Sequence, residues 1–197
     1  MPLVESPCFA LRKPPEGGAF LLKGRLTMKM LFCGLAVLTL TSAPAMAETE
    51  TPAFLSQHET TAADEMAIRA ILTAYTTAVS TGNQAAFEAL LLNDRIPFSS
   101  TSSAVGPKAD PKTVETRRYS EFRKAIFESG VRYSQQFYNV HIQQDGPLAQ
   151  ASLDFVTREA ENGRGGYGFK TLQLLKVAGQ WKIASEFYTG RPLPGGS

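Results

Sequence analysis

The sequence predicts an α+β fold, with helices packed on one face of a curved, mostly antiparallel sheet. Three observations lead there. Apolar residues between positions 61 and 82 recur at helical spacing. From Val131 onward the pattern changes to a period of two. Turn-forming clusters then punctuate the chain at Asp145-Gly146-Pro147, at 161–166 and at Ala178-Gly179-Gln180.

Each element has a local reason. Thr61 is placed to cap the first helix, with Asp64 and Glu65 in its first turn, where the helix dipole favours acids. Ile68, Ile71, Leu72, Tyr75, Ala78 and Val79 give it one apolar face. Gly82 ends it, and Asn83 caps a second helix whose face is Phe87, Leu90 and Leu91. Two helices across so tight a corner make an αα-hairpin. Residues 95–99 read as a short strand. Residues 99–112, rich in Ser, Gly and Pro, read as a long loop that is either a lid over a site or solvated surface. Asp110-Pro111 predicts a third helix start, with Val114, Phe122, Ala125 and Ile126 on one face and Gly130 at the end. Its arginines alternate with Glu115, Glu121 and Glu128, which marks a solvated helix face. Strands follow over 131–143, 148–159, 167–177 and 181–189. The Pro- and Gly-rich tail, 191–197, is expected to fray.

Residues 28–47 carry a secretory signal pattern. Lys29 precedes an apolar run of about ten residues, and small residues end in Ala45-Met46-Ala47. A bilayer needs roughly 20 such residues, so this is not a retained span. Residues 1–27 are either an extended n-region or the product of a start assigned too early. Cys33 opens the apolar run after Leu31 and Phe32, which does not suit a lipobox; free export is the expectation. The lead-in 48–60, with His58, reads as polar and flexible. Cleavage after Ala47 would remove both cysteines, Cys8 and Cys33, leaving no disulfide and no thiol ligand.

Five of the 20 basic residues and two of the 18 acidic ones precede Glu48, so the rest of the chain has a formal charge of −1. That balance points away from nucleic acid and from an anionic membrane surface.

Motif inspection yields no catalytic set, no cofactor site and no metal site. The run Gly163-Arg164-Gly165-Gly166-Tyr167-Gly168 lacks the Lys-Ser/Thr pair and the following helix of a phosphate loop, and reads as a hairpin connection. His141, alone in its strand, has no second histidine within 61–190 to form a ligand set. No Gly-x-Ser-x-Gly is present.

Two segments carry a family resemblance. One is AIRAILTAYTTAVSTGNQAAFEALLLND, residues 67–94; the other is the last hairpin, TLQLLKVAGQWKIASEFYTG, residues 171–190. Their order resembles the nuclear transport factor two-like superfamily, which includes ketosteroid isomerase, polyketide cyclases and limonene-epoxide hydrolase. The resemblance covers nearly all of 61–189 and sets the domain at 61–190. It implies a cone of helices and sheet with a ligand pocket at its open end. Aligned with the isomerase, Tyr75 takes the place of the oxyanion tyrosine and Ser99 that of the general-base aspartate. Gln173, or alternatively Thr171, takes the place of the oxyanion-hole acid. A serine cannot replace the base, whereas an amide still donates a hydrogen bond. Tyr75, Ser99, Gln173 and Thr171 are therefore the candidate ligand contacts, with Tyr75 equally readable as a core tyrosine.

The functional expectation is an exported domain, periplasmic or extracellular, that binds a small apolar or amphipathic molecule and forms a homodimer through its sheet. One alternative is an acid–base enzyme of isomerase, cyclase or dehydratase type, with Asp154, Glu186 or His141 as base. Another is an interaction module using Phe137, Tyr138, Phe187 and Tyr188.

Overall fold

The computed structural model describes Pro52 and residues 60–104 and 109–194. The expectations for 1–27, for the signal segment 28–47 and for most of the lead-in 48–60, His58 included, lie outside the described residues. So does the end of the tail.

Helix α1 runs Ala62–Thr81, and the Thr61 hydroxyl accepts the Asp64 N–H at its start. Gly82 ends it in the left-handed region at φ 68°, where a glycine carries no Cβ penalty, and its N–H reaches back to the last-turn carbonyls. Helix α2, Gln84–Glu88, follows with Asn83 accepting the Ala86 N–H. Strand β1 is Phe98–Ser100, and a short helix α3, Thr101–Ala104, interrupts the expected loop.

The third long helix is shorter than its sequence pattern. Helix α4 spans only Tyr119–Ile126. Asp110 forms a turn instead, accepting the Lys112 and Thr113 N–H groups. Phe98 then captures the next segment: its N–H bonds the Thr116 carbonyl at 2.7 Å and its carbonyl accepts the Arg118 N–H at 3.1 Å. This pairing takes the Thr116 carbonyl and the Arg118 N–H, the helix starts only after Arg118, and Val114 is not on a helix face.

Four long strands complete the domain: β2 Tyr133–Asp145, β3 Leu148–Glu159, β4 Gly165–Val177 and β5 Gln180–Tyr188. The sheet order is β1-β5-β4-β3-β2; β1 is parallel to β5, and the other neighbours on this path are antiparallel. The expected frayed tail is partly ordered. Strand β6, Arg191–Pro192, pairs with Tyr167 and Gly166 of β4. Of the 163–168 run only Gly163 and Arg164 lie in the connection between β3 and β4; Gly165 to Gly168 are already paired in β4.

Ile68, Leu72, Tyr75 and Val79 of α1 pack on Leu153, Leu172, Leu174 and Ile183 of the sheet. Phe87 is the hub of the aromatic half of this core. It is fully buried, with ring centroids of Tyr75, Phe122 and Phe127 at 4.6, 5.3 and 5.3 Å. Tyr138, Phe169 and Phe187 are exposed on the opposite sheet face. Phe137 and Tyr188 alternate with them and turn inward to pack against the core, so of the four aromatics expected on exposed strand faces only Tyr138 and Phe187 are exposed.

Two bulges decide which side chains enter the core. On β2 the register slips between Tyr138 and His141, with Asn139 at φ 50°. Asparagine tolerates that conformation better than most residues. The inward set therefore changes from Tyr133, Gln135 and Phe137 to Val140, Ile142 and Gln144. On β5 Ser185 pairs with Gln173 but Ile183 pairs with Leu174, leaving Ala184 as the extra residue. Glu186 thereby turns to the same face as Ile183.

Candidate functional site

Three polar side chains meet inside the core. Tyr75 of α1, Lys170 of β4 and Glu186 of β5 are each no more than 1 % exposed. The Lys170 ammonium donates to Tyr75 Oη at 2.7 Å and pairs with Glu186 Oε1 at 2.7 Å. The Tyr75 hydroxyl donates to the same carboxylate oxygen at 3.0 Å. Around Lys170 Nζ stand the rings of Tyr75, Phe155, Tyr188 and Phe137, with centroids 4.3 to 5.4 Å away. Aromatic faces attract a cation, most strongly where water is absent.

The sequence arranges this in simple steps. Inward positions of β4 are Gly166, Gly168, Lys170, Leu172 and Leu174, a strict alternation. Gly168 permits a close approach: a Cβ there would lie 2.0 Å from the Thr189 carbonyl oxygen. The end of β5 can therefore cross tightly, with Tyr188 in register with Lys170. The β5 bulge supplies Glu186, and Tyr75 comes from the apolar face of α1.

Burial is the largest influence on Glu186 and pushes its pKa up; the Lys170 charge and the hydrogen bonds from Lys170 and Tyr75 offset this only in part. Its second oxygen, Oε2, is buried with no hydrogen-bond partner among the described residues. Such an undersolvated carboxylate holds a proton more readily than a solvated one.

A cavity of about 30 Å³ adjoins Lys170. Phe122, Phe155 and Ile126 give it apolar walls, Gln135 and Thr157 a polar edge, and half-buried Tyr188 and Gly190 its rim. The volume suits one water-sized group. The Gln135 amide bonds Thr157 Oγ1 through Nε2 at 2.7 Å, while its Oε1 is buried without a partner among the described residues. Gln135 also lines an open groove of about 420 Å³ between α1 and β2, bordered by Arg69, Thr73, Thr76 and Tyr138. One amide thus stands between groove and cavity.

Of the four candidate ligand contacts named from sequence, only Tyr75 lies in this cluster. Thr171 and Gln173 occupy the outward positions of β4, one residue on either side of inward Leu172. Gln173 accepts from Ser185 Oγ on that outer face. Ser99 is buried and bonds the Ser100 carbonyl; it pairs with outward Phe187, whereas its neighbour Phe98 pairs with Glu186. Among the expected bases, Glu186 is in the cluster, while Asp154 accepts from Asn139 and His141 is exposed, both on the outer face. Lys170 was missed. Its signal was parity with Leu172 and Leu174, an apolar register in which a lysine is out of place.

A second polar cluster closes the opposite end of the helix. Asp64 accepts from Thr61 Oγ1, Gln144 Nε2, Lys176 Nζ and Trp181 Nε1. The Lys176 bond, then those of Trp181 and Gln144, hold its carboxyl well below the usual range. This clip joins α1 to β2, β4 and β5. Among the described residues no three of His, Cys, Asp and Glu gather to hold a metal, and no described helix is long and apolar enough to cross a membrane.

The profile of the SnoaL-like domain matches residues 68–188. No curated protein matches the chain. Solved structures resemble it in fold. A cystatin-like protein of unknown function from Nostoc punctiforme is 17% identical with a TM-score of 0.53, over 70% of this chain and 96% of the other. An NTF2-like protein of unknown function from Pseudomonas putida is 17% identical with a TM-score of 0.51, over 66% and 89%. A function-unknown protein from Mycobacterium tuberculosis is 18% identical with a TM-score of 0.50, over 66% and 72%.

Proposed function

We propose a ligand-binding role on this premise: the chain belongs to the SnoaL-like domain family, within the nuclear transport factor two-like superfamily. The fold alone hosts both binders and enzymes, so the reading rests on the site. The observation that carries it is the cavity beside Lys170, where a buried amide end of Gln135 lacks a partner. A buried polar group without a partner costs roughly 1–3 kcal/mol. A ligand hydroxyl or a water would remove that cost.

The cluster also favours one class of ligand. Lys170 and Glu186 offset one another, so a charged guest would add an uncompensated charge to a dry site. The guest is a small neutral molecule with an apolar body and a carbonyl or hydroxyl end. The open groove beside Gln135 gives its body room. A native mass spectrum recorded before dialysis, on wild type and on Lys170→Met, tests this. A bound small molecule that the variant loses supports the reading; equal retention by the variant contradicts it.

Acid–base catalysis is the second reading, favoured by a buried carboxyl that hydrogen-bonds Tyr75. Glu186 does not line the cavity, so it would act through Lys170 or Tyr75. We also place the protein outside the cytoplasm on the strength of the 28–47 pattern. The outer aromatics Tyr138, Phe169 and Phe187 support pairing of two copies through the sheet. N-terminal sequencing of exported protein beginning at Glu48 would support the first of these placements; retention of residues 28–47 would oppose it.

A further inference from the structure

We infer that Lys170 is a nucleophile that captures a small aldehyde or ketone as a reversible imine. This rests on the ligand-binding reading and assigns chemistry to the same site. Lys170 is the cavity-lining residue with an amine, and it is 1 % exposed. Its nitrogen touches both a carboxylate and a phenol, each at 2.7 Å. Desolvation in an apolar pocket is one established way to activate a lysine toward carbonyls.

The proton inventory closes within the cluster. Glu186 takes one proton from the Lys170 ammonium, leaving the neutral amine beside a carboxylic acid. That transfer exchanges an ion pair for a neutral pair and needs no bulk water. The amine lone pair then forms the C–N bond, and the carbonyl π pair moves to oxygen. Tyr75 gives its proton to that oxygen and recovers one from the nitrogen, which leaves a neutral carbinolamine. Tyr75 gives its proton to the hydroxyl and takes the Glu186 proton in its place across their hydrogen bond; the C–O bond breaks, water leaves, and the nitrogen lone pair completes C=N. The net change is carbonyl plus ammonium to iminium plus water. The iminium keeps the positive charge of the lysine, so the pairing with Glu186 is restored and no new charge is buried.

The cavity selects for size. A carbonyl group fits the volume beside Lys170, and a short alkyl chain would extend past Gln135 toward the open groove. Gln135, whose Oε1 has no partner among the described residues, lines the same cavity and is the polar residue nearest to hand for the departing water.

Butanal with sodium cyanoborohydride is the probe, because the hydride reduces an iminium to a stable secondary amine that peptide mapping locates. Lys170 is expected to be alkylated about tenfold faster than exposed Lys112 and Lys124, despite its burial. Butanamide, alike in shape but unable to form an imine, slows the reaction at Lys170 alone. Tyr75→Phe, which keeps the ring, brings the Lys170 rate down toward that of the exposed lysines. Alkylation of Lys170 no faster than Lys112 overturns the proposal. If butanamide shifts the Lys170 side-chain resonance while butanal leaves no adduct there, the imine is wrong and binding stands. If neither occurs, both readings fall.

Discussion

Lys170 Nζ and Tyr75 Oη converge on one oxygen of Glu186, at 2.7 and 3.0 Å, while the other oxygen of that carboxylate has no partner among the described residues. A cluster arranged only for stability would satisfy both oxygens. Buried ion pairs often add little stability over a well-packed apolar substitute, yet removing one partner is costly. The arrangement therefore makes sense through what it presents to the cavity.

Coupling within the pair is the first consequence. Lys170→Met leaves Glu186 buried without its cation, and should cost roughly 3–5 kcal/mol. Lys170→Met combined with Glu186→Gln should cost clearly less than the sum of the two single changes. Urea denaturation of the four proteins measures the coupling; additive costs would show that the two groups do not interact.

The pH dependence follows from Glu186. Its pKa is raised in the folded state by burial, so the folded chain binds the proton more tightly than the unfolded one. This contribution to stability is complete below the unfolded value, near pH 4, and is lost as pH rises through the folded pKa. A ¹³C titration of the Glu186 carboxyl should give a midpoint above the ordinary glutamate range. A midpoint at or below 4 would refute the assignment.

Asp64 behaves in the opposite sense. Its pKa is lowered by Lys176, Trp181 and Gln144, so its stabilising effect is present at neutral pH and lost as pH falls below about 4. Asp64→Asn should lower Tm by several degrees at pH 7 and by progressively less as pH falls from about 4 toward the depressed folded value. A Tm difference independent of pH would mean that the charge of Asp64 is not what holds the clip.

Phe87→Ala removes the hub of the aromatic core and should destabilise by about 3–5 kcal/mol. Gly82→Ala puts a side chain into the left-handed region at φ 68°, where nothing crowds the added methyl. Its cost should be backbone strain alone, about 1–2 kcal/mol. Equal losses from both changes, read by urea denaturation, would contradict this division between packing and strain.

The fold was legible in the sequence because local rules and tertiary packing agree over most of the chain. Thr61, Gly82 and Asn83 cap where their chemistry suggests, and β3 keeps its alternation from Leu148 to Glu159. The third helix misled because Asp110-Pro111 is a good start by local rules, while Phe98 offers strand-like pairing to Thr116 and Arg118. The site was legible at Tyr75 and, as one of three candidate bases, at Glu186, but not at Lys170. Gln173 and Thr171 were chosen on β4 by alignment with an enzyme, and a one-residue difference in register turns each to the outer face. Glu186 reaches the interior through the extra residue Ala184, and a bulge leaves no mark in a period-two pattern.

Titrating the protein with short-chain ketones, amides and esters, while following the lysine side-chain resonances, tests the central claim most directly. The account predicts a saturable shift of Lys170 with at least one of them, reduced in Tyr75→Phe, while exposed Lys124 stays still. A panel that leaves Lys170 unmoved, or moves Lys124 equally, would contradict it.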